Sequence, residues 1–265
     1  MVRTMMMRWV VSLTLGLALL LVGVQGAAAA PDLSGSWIML QIYPRIAELP
    51  VVGESRQTSF VVQRVDIQQE GLSLIMTDQY CFTVIEESSP LASTEIPEAF
   101  MSSLIPGRRV ATLEDQDGTI AFEQPRYTEI RGATLTEPET EDLPTEPEDP
   151  RVIDQDGDGF PGMTVNVNIF GLFQAQIYVV QRVQYALSGT VLSGDRIEGL
   201  IQWQDEQNTL AATSPLLLAA AESAQDPDPT QHRFVMLRAQ EEWTCEWLME
   251  SWQQVFGLAP VEEED

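Results

Sequence analysis

QAQIYVVQRVQYAL, residues 174–187, decides the fold. Ala175, Ile177, Val179, Val183 and Tyr185 repeat with a period of two. That period belongs to a strand with one face turned to a core, because successive side chains of an extended backbone point to opposite sides. The same alternation runs outward in both directions. Trp37 to Tyr43 reads as a first strand. Ser59 to Gln68 reads as a second, with Val61, Val65 and Ile67 on one face. Leu72 to Met76 and Tyr80 to Ile85 read as two strands split by Thr77-Asp78-Gln79. Arg109 to Leu113 and Thr119 to Glu123 form a hairpin turned at Asp115-Gln116-Asp117-Gly118. Thr164 to Phe170 alternates Val165, Val167 and Ile169 with Thr164, Asn166 and Asn168. Gly189 to Leu192, Ile197 to Trp203 and His232 to Arg238 complete the set.

Helical signals are few. Ser214-Pro215 is a capping residue followed by proline at the first helical position, which predicts a helix over Pro215 to Ala224. Pro97 to Leu104 is a short helical candidate. Glu241 to Phe256 carries Cys245, Leu248, Trp252, Val255 and Phe256 on one stripe at helical spacing and stops at Gly257. Trp243 and Trp247 lie beside that stripe. The expected role is to plug or cap a barrel with the aromatic face. Mostly strands with one C-terminal amphipathic helix gives a mainly β fold: an antiparallel β-barrel or β-sandwich.

The pentapeptide VVQRV occurs at 61–65 and again at 179–183. Two readings stand: a duplicated β unit, with halves 33–131 and 151–257, or coincidence between similar strands. Between these halves lies 134–150, TLTEPETEDLPTEPEDP. Its acids and prolines offer too little apolar surface to offset ordering. It is expected to be a mobile acidic linker. The rest of 30–257 reads as a single β-rich domain, with an acidic tail at 258–265.

Residues 1–29 read as an export signal. Arg3 and Arg8 precede an apolar run from Trp9 to Val24, and Ala27 and Ala29 satisfy the small-residue rule for cleavage. The run is short for a bilayer span. Removing a segment with two arginines and no acid takes the formal charge from −26 to −28. All 14 basic residues are arginine. Such a charge repels nucleic acid and anionic lipid and attracts divalent cations. The expected location is periplasmic or extracellular, in a bacterium. In that setting Cys81 and Cys245 read as a disulfide or as two buried thiols.

DQDGDGFPG, residues 154–162, is the stretch with chemistry in it. Calcium wants six to eight oxygens from a flexible cage, and alternate aspartates on a tight loop can aim at one centre. Asp154, Asp156 and Asp158 are spaced for this. Gly159 permits the sharp turn, and the Phe160 backbone carbonyl is the next ligand, which leaves that side chain free. The loop resembles the DxDxDG loop of EF-hands, dockerins and thrombospondin type 3 repeats. The resemblance implies calcium held by Asp154, Asp156, Asp158 and the Phe160 carbonyl. It ends there: Val165 stands where a bidentate acid is due, so other oxygens must come from water, Thr164 or another segment, with Glu148 and Asp149 nearest in sequence. The other reading is an acidic, solvent-facing turn.

Catalytic signatures are lacking. His232 is the sole histidine, which excludes a multi-histidine metal site, and no nucleophile motif or phosphate-cradling loop occurs. No pair of carboxylates stands out among 40 acids for glycosidase chemistry. Leu33-Ser34-Gly35-Ser36-Trp37 opens the first strand, and Arg238 closes the last one before a helix. This looks like the G-x-W and distal arginine of lipocalins and related calycin barrels. The resemblance implies that Trp37 closes the barrel floor, that Arg238 stacks across it, and that the cavity takes a small hydrophobic ligand. The expected function is an exported, non-enzymatic, calcium-stabilised barrel protein. A structural or adhesion module and a carboxylate-based hydrolase are the alternatives.

Overall fold

The computed structural model describes residues 30–49, 53–88, 92–169, 171, 173–217 and 223–258. The signal segment and most of the acidic tail lie outside the described residues. In chain order the elements are β1 (Gly35–Leu49), β2 (Gly53–Glu70), β3 (Ser73–Glu87), β4 (Ala92–Glu95), α1 (Glu98–Ser103), β5 (Arg108–Gln116), β6 (Thr119–Arg131) and β7 (Met163–Ile169). β8 (Phe173–Ser193), β9 (Arg196–Ala212), β10 (Ser223–Gln225), β11 (Arg233–Arg238) and α2 (Cys245–Phe256) follow.

Every strand pairing is antiparallel. Eight strands close into a ring in the order β1-β2-β3-β5-β6-β8-β9-β11, with β11 returning to β1. That order is the chain order: two-residue turns join β2–β3, β5–β6 and β8–β9, longer segments join β3–β5, β6–β8 and β9–β11, and closure leaves the paired stretches no free edge. Asp117 and Gly118, both at positive φ, make the β5–β6 turn, as a two-residue hairpin matched to strand twist requires. The ring is not a plain barrel. β4, β7 and β10 prolong it at one end. β7 continues the line of β6 along the same edge of β8: Arg131 faces Gln181, and Met163 faces Val179. Residues 132–162 therefore leave the wall and rejoin it two residues further along β8.

The exit and the return touch. Gly132 and Gly162 both hold positive φ, and a Cβ on Gly162 would stand 2.4 Å from the Val179 carbonyl oxygen. Only glycine admits that approach.

Alternate residues give the wall two faces. Trp37, Met39, Val65, Ile67, Leu74, Met76, Phe122, Leu187, Phe234 and Met236 fill one end of the interior. Outside, Ile38, Leu40, Ile42, Val62 and Phe82 pack against Leu248, Trp252 and Phe256 of α2. Thr244 caps α2 by accepting from the Trp247 amide, and Gly257 ends it in the left-handed region. A disulfide joins Cys81 to Cys245 and pins the start of the helix to β3. α2 thus lies on the outer wall and does not plug the barrel, because its apolar stripe meets the outward apolar positions of β1, β2 and β3.

Three further readings change. β3 is one strand through Thr77-Asp78-Gln79, because these polar residues pair with Asp66, Val65 and Arg64 of β2. The helix expected over Pro215 to Ala224 is a 3-10 turn at Pro215–Leu217, while Ser223 and Ala224 belong to β10 and pair with Ala47 and Ile46. β4 and β10 carry too few residues for their periodicity to register. The 134–150 stretch is seated on the outer wall instead of standing free. Its two leucines, Leu135 and Leu143, are buried with Val180 and Leu210. Arg182 on β8 donates to the Pro138 and Glu141 carbonyls, and Asn208 donates to those of Leu143 and Pro144. Few apolar residues suffice where the strands supply donors for the stretch's own backbone.

The two VVQRV copies lie on β2 and β8, four strands apart around the ring. In each, the second valine (Val62, Val180) faces outward into an appended layer. The fifth residue (Val65, Val183) meets the inner core.

Candidate metal loop and barrel interior

Asp154, Asp156 and Asp158 each offer a carboxylate oxygen to one cluster, all within 4.8 Å of one another. The loop builds this from its own backbone. Asp154 accepts from the Asp158 and Gly159 amides, at 3.1 and 2.9 Å. Asp158 accepts from the Phe160 amide at 2.9 Å and from the Thr164 hydroxyl at 2.5 Å. Asp156 accepts from the Thr164 amide through one oxygen, and its other oxygen is buried without a partner. Gly157 and Gly159 hold positive φ and turn the chain between the acids. Burial raises the Asp156 pKa, with the Asp158 and Asp154 charges adding to it and the Thr164 amide opposing. A cation at the cluster would offset both burial and repulsion. The donor set therefore fits a hard, oxygen-seeking metal ion.

The Phe160 side chain is not free. It stacks on Tyr178 of β8, rings 4.4 Å apart and 10° from parallel. Val165, at the position due a bidentate acid, is buried against α1. Asp149 is turned to Arg151, whose hydrogen bonds hold its pKa down to about 2. Among the described residues, the converging carboxylates are those three aspartates. Gln155 ties the loop to its surroundings: its amide nitrogen donates to the Ser103 carbonyl of α1, and its oxygen accepts from the Gly132 amide.

At the barrel floor, Arg238 lies over the Trp37 ring, 4.8 Å from its centroid. Its guanidinium donates to the carbonyls of Asp32, Ser34 and Gly194, while Trp37 donates to the Leu33 carbonyl. One cation so sews residues 32–34 to the β8–β9 turn. His232 is saturated as well. The indole N–H of Trp203 donates to Nδ1, which leaves Nε2 to donate to the Asp226 carbonyl. That fixes a neutral tautomer in a structural role.

Above the apolar floor the interior turns polar. Asp78 and Arg109 are 2 % exposed and form a bidentate pair, with Gln124 accepting the remaining Arg109 contact. Burial raises the Asp78 pKa, and Arg109 opposes it. Glu129 accepts from Arg131 through one oxygen and from the Tyr80 hydroxyl through the other. Gln63 donates to Gln41. Tyr185 lies under Arg109 and against Tyr127. Burial pushes the Tyr43, Tyr80 and Tyr185 pKa values up, and the charges of Glu129, Arg109 or Arg131 act on each of them. These groups share one space.

The sequence reading missed this layer. Its signal was present: polar residues continue the inward face after the apolar ones, as Gln41 follows Trp37 and Met39. Reading Asp78 as a turn residue removed the member that would have exposed the pattern. Fold and sites together define an antiparallel sheet closed as a ring of eight strands, with a candidate metal loop where residues 132–162 rejoin the wall and a charged layer within. No protein-family model, curated protein or solved structure matches the chain.

Proposed function

We propose that this is an exported, non-enzymatic, calcium-binding barrel protein that carries a small ligand. The convergence of Asp154, Asp156 and Asp158 where residues 132–162 rejoin the wall carries the calcium reading. The bond from the Thr164 amide to Asp156 ties the cluster to the first residues of β7. Calcium there clamps the return of the chain onto β8. Phe160 offers its carbonyl as a further ligand, and water completes the shell. Export is supported by the signal-like 1–29 segment and by the Cys81–Cys245 disulfide, which suits an oxidising compartment. The lipocalin resemblance is supported by the ring order and the Trp37–Arg238 stack. A wholly hydrophobic ligand suits the interior poorly, because large apolar side chains fill the floor and charges line the space above. The hydrolase alternative loses ground, since Asp78 and Glu129 are both engaged by arginine.

The test is thermal melting of the protein in EDTA, then in millimolar calcium or magnesium, alongside Asp156→Ala. A ligand bound only by the native state raises its stability. A rise with calcium that exceeds the magnesium response and disappears in Asp156→Ala is expected. Equal responses to both ions, retained in the variant, would reduce the loop to an acidic turn.

A further inference from the structure

The ligand of the proposed carrier is open, and the inward-facing layer narrows its chemistry. Tyr127, Glu129 and Arg131 alternate on the inner face of β6, opposite Tyr185, Val183 and Gln181 of β8. Arg131 and Glu129 keep 17 % and 12 % of their side-chain surface although they point into the barrel. Tyr43, Tyr80, Tyr127, Val183 and Trp203 are likewise only half-buried. Side chains that face inward and retain accessible surface line a space inside the wall.

Hydrogen-bonding capacity into that space is unspent. Arg131 uses its Nε on Glu129 and also bonds the Tyr80 hydroxyl, which leaves part of its guanidinium for a further acceptor. Gln41, 1 % exposed, keeps its amide nitrogen unpartnered, and Tyr185, 2 % exposed, keeps its hydroxyl unpartnered. Gln63, fully buried, leaves its oxygen open. The buried acids are already spent: Asp78 on Arg109, Glu129 on Arg131 and Tyr80. The unspent acceptors are the neutral Gln63 and Gln181 oxygens, so Arg131 is the charged group with capacity left, and an anionic guest matches it. A guanidinium with donors to spare suits a carboxylate. The Tyr80 and Phe100 rings stand 5.7 and 5.9 Å from the Arg131 guanidinium carbon. Tyr43 meets Trp203 edge-on at 5.1 Å and adds a further flat wall.

We infer that the barrel interior binds a small organic anion with a planar, aromatic body, its carboxylate-like head held by Arg131. This rests on the carrier reading above and does not depend on calcium.

Two dyes test it. 8-Anilinonaphthalene-1-sulfonate carries a planar body and an anionic head, and N-phenyl-1-naphthylamine is the same ring system without the sulfonate. Fluorescence titration of the folded protein should give at least tenfold tighter binding of the sulfonate dye, and benzoate should displace it where benzyl alcohol does not. Arg131→Met should lose at least tenfold for the sulfonate dye and little for the neutral one. Because that variant strands Glu129, Glu129→Gln with Arg131→Met removes both charges together, and it should show the same selective loss with an intact melt. Equal binding of both dyes, unchanged in the double variant, would overturn the anion inference and leave an apolar carrier. Binding of neither dye would overturn the carrier reading and the inference with it.

Discussion

Replacing Gly162 by alanine tests the point where residues 132–162 rejoin the wall. The new Cβ would stand 2.4 Å from the Val179 carbonyl oxygen and 3.0 Å from its carbon. Both atoms belong to the backbone of β8, which is paired on its other side to β9, so no side chain can swing away. Gly162 also sits at φ +85, where an L-residue costs roughly 1–2 kcal/mol. Forcing a methyl group into a packed site adds about 1–3 kcal/mol, for a loss of about 2–5 kcal/mol. At about 2–4 °C per kcal/mol for a chain of this size, the melting temperature falls by about 4–20 °C. Gly118 supplies the matched control, with φ +89 and nothing within 4 Å of an added Cβ. Gly118→Ala bears the backbone cost alone, partly offset by a stiffer unfolded chain, and so loses no more than about 1.5 kcal/mol. Circular-dichroism melts of both variants in EDTA read the difference. Equal losses at the two glycines would refute the close approach, because backbone conformation alone would then account for both.

Acid should loosen the outer layer through Asp149. Its pKa is lowered from 3.8 to about 2 by Arg151, so its contribution is complete above the unfolded value and is lost as pH falls from about 4 to 2. Asp149→Asn should melt lower than the parent at pH 6 and converge with it at pH 2, as followed by calorimetry. Arg238→Lys should destabilise despite keeping the charge, by about 2–4 kcal/mol, since lysine cannot fork across three carbonyls or stack flat on Trp37; urea denaturation measures this. Replacing both Cys81 and Cys245 by serine opens a 164-residue separation, and chain entropy sets the loss at about 4–5 kcal/mol, again read in urea. An unchanged midpoint would mean that α2 holds the wall by packing alone.

Strand content was legible because burial on one face imposes a period of two, and QAQIYVVQRVQYAL shows it from Ala175 to Val179 and again at Val183 and Tyr185. Closure into a ring was not, since nothing in the alternation of β8 or β9 says that they meet. The Trp37 and Arg238 positions hinted at a barrel floor, because a cation that caps several carbonyls must sit where strand ends converge. The DxDxDG loop was readable from spacing, whereas its anchoring by Phe160 on Tyr178 and by Gln155 on Ser103 depends on long-range contacts. Seating of 134–150 was hidden for a related reason: Arg182 and Asn208 supply the donors from another part of the chain. The inner polar layer was obscured because charged residues on an inward face mimic turn residues when taken one strand at a time.

The most direct measurement is calorimetric titration of calcium into chelator-treated protein at neutral pH. The account predicts one calcium per chain with a dissociation constant of about 10⁻⁴–10⁻³ M, as expected of a loop lacking its last bidentate ligand. Asp156→Ala should abolish the heat, while Asp149→Asn should leave it unchanged. No binding, or binding that survives Asp156→Ala, would contradict a calcium site built on Asp154, Asp156 and Asp158.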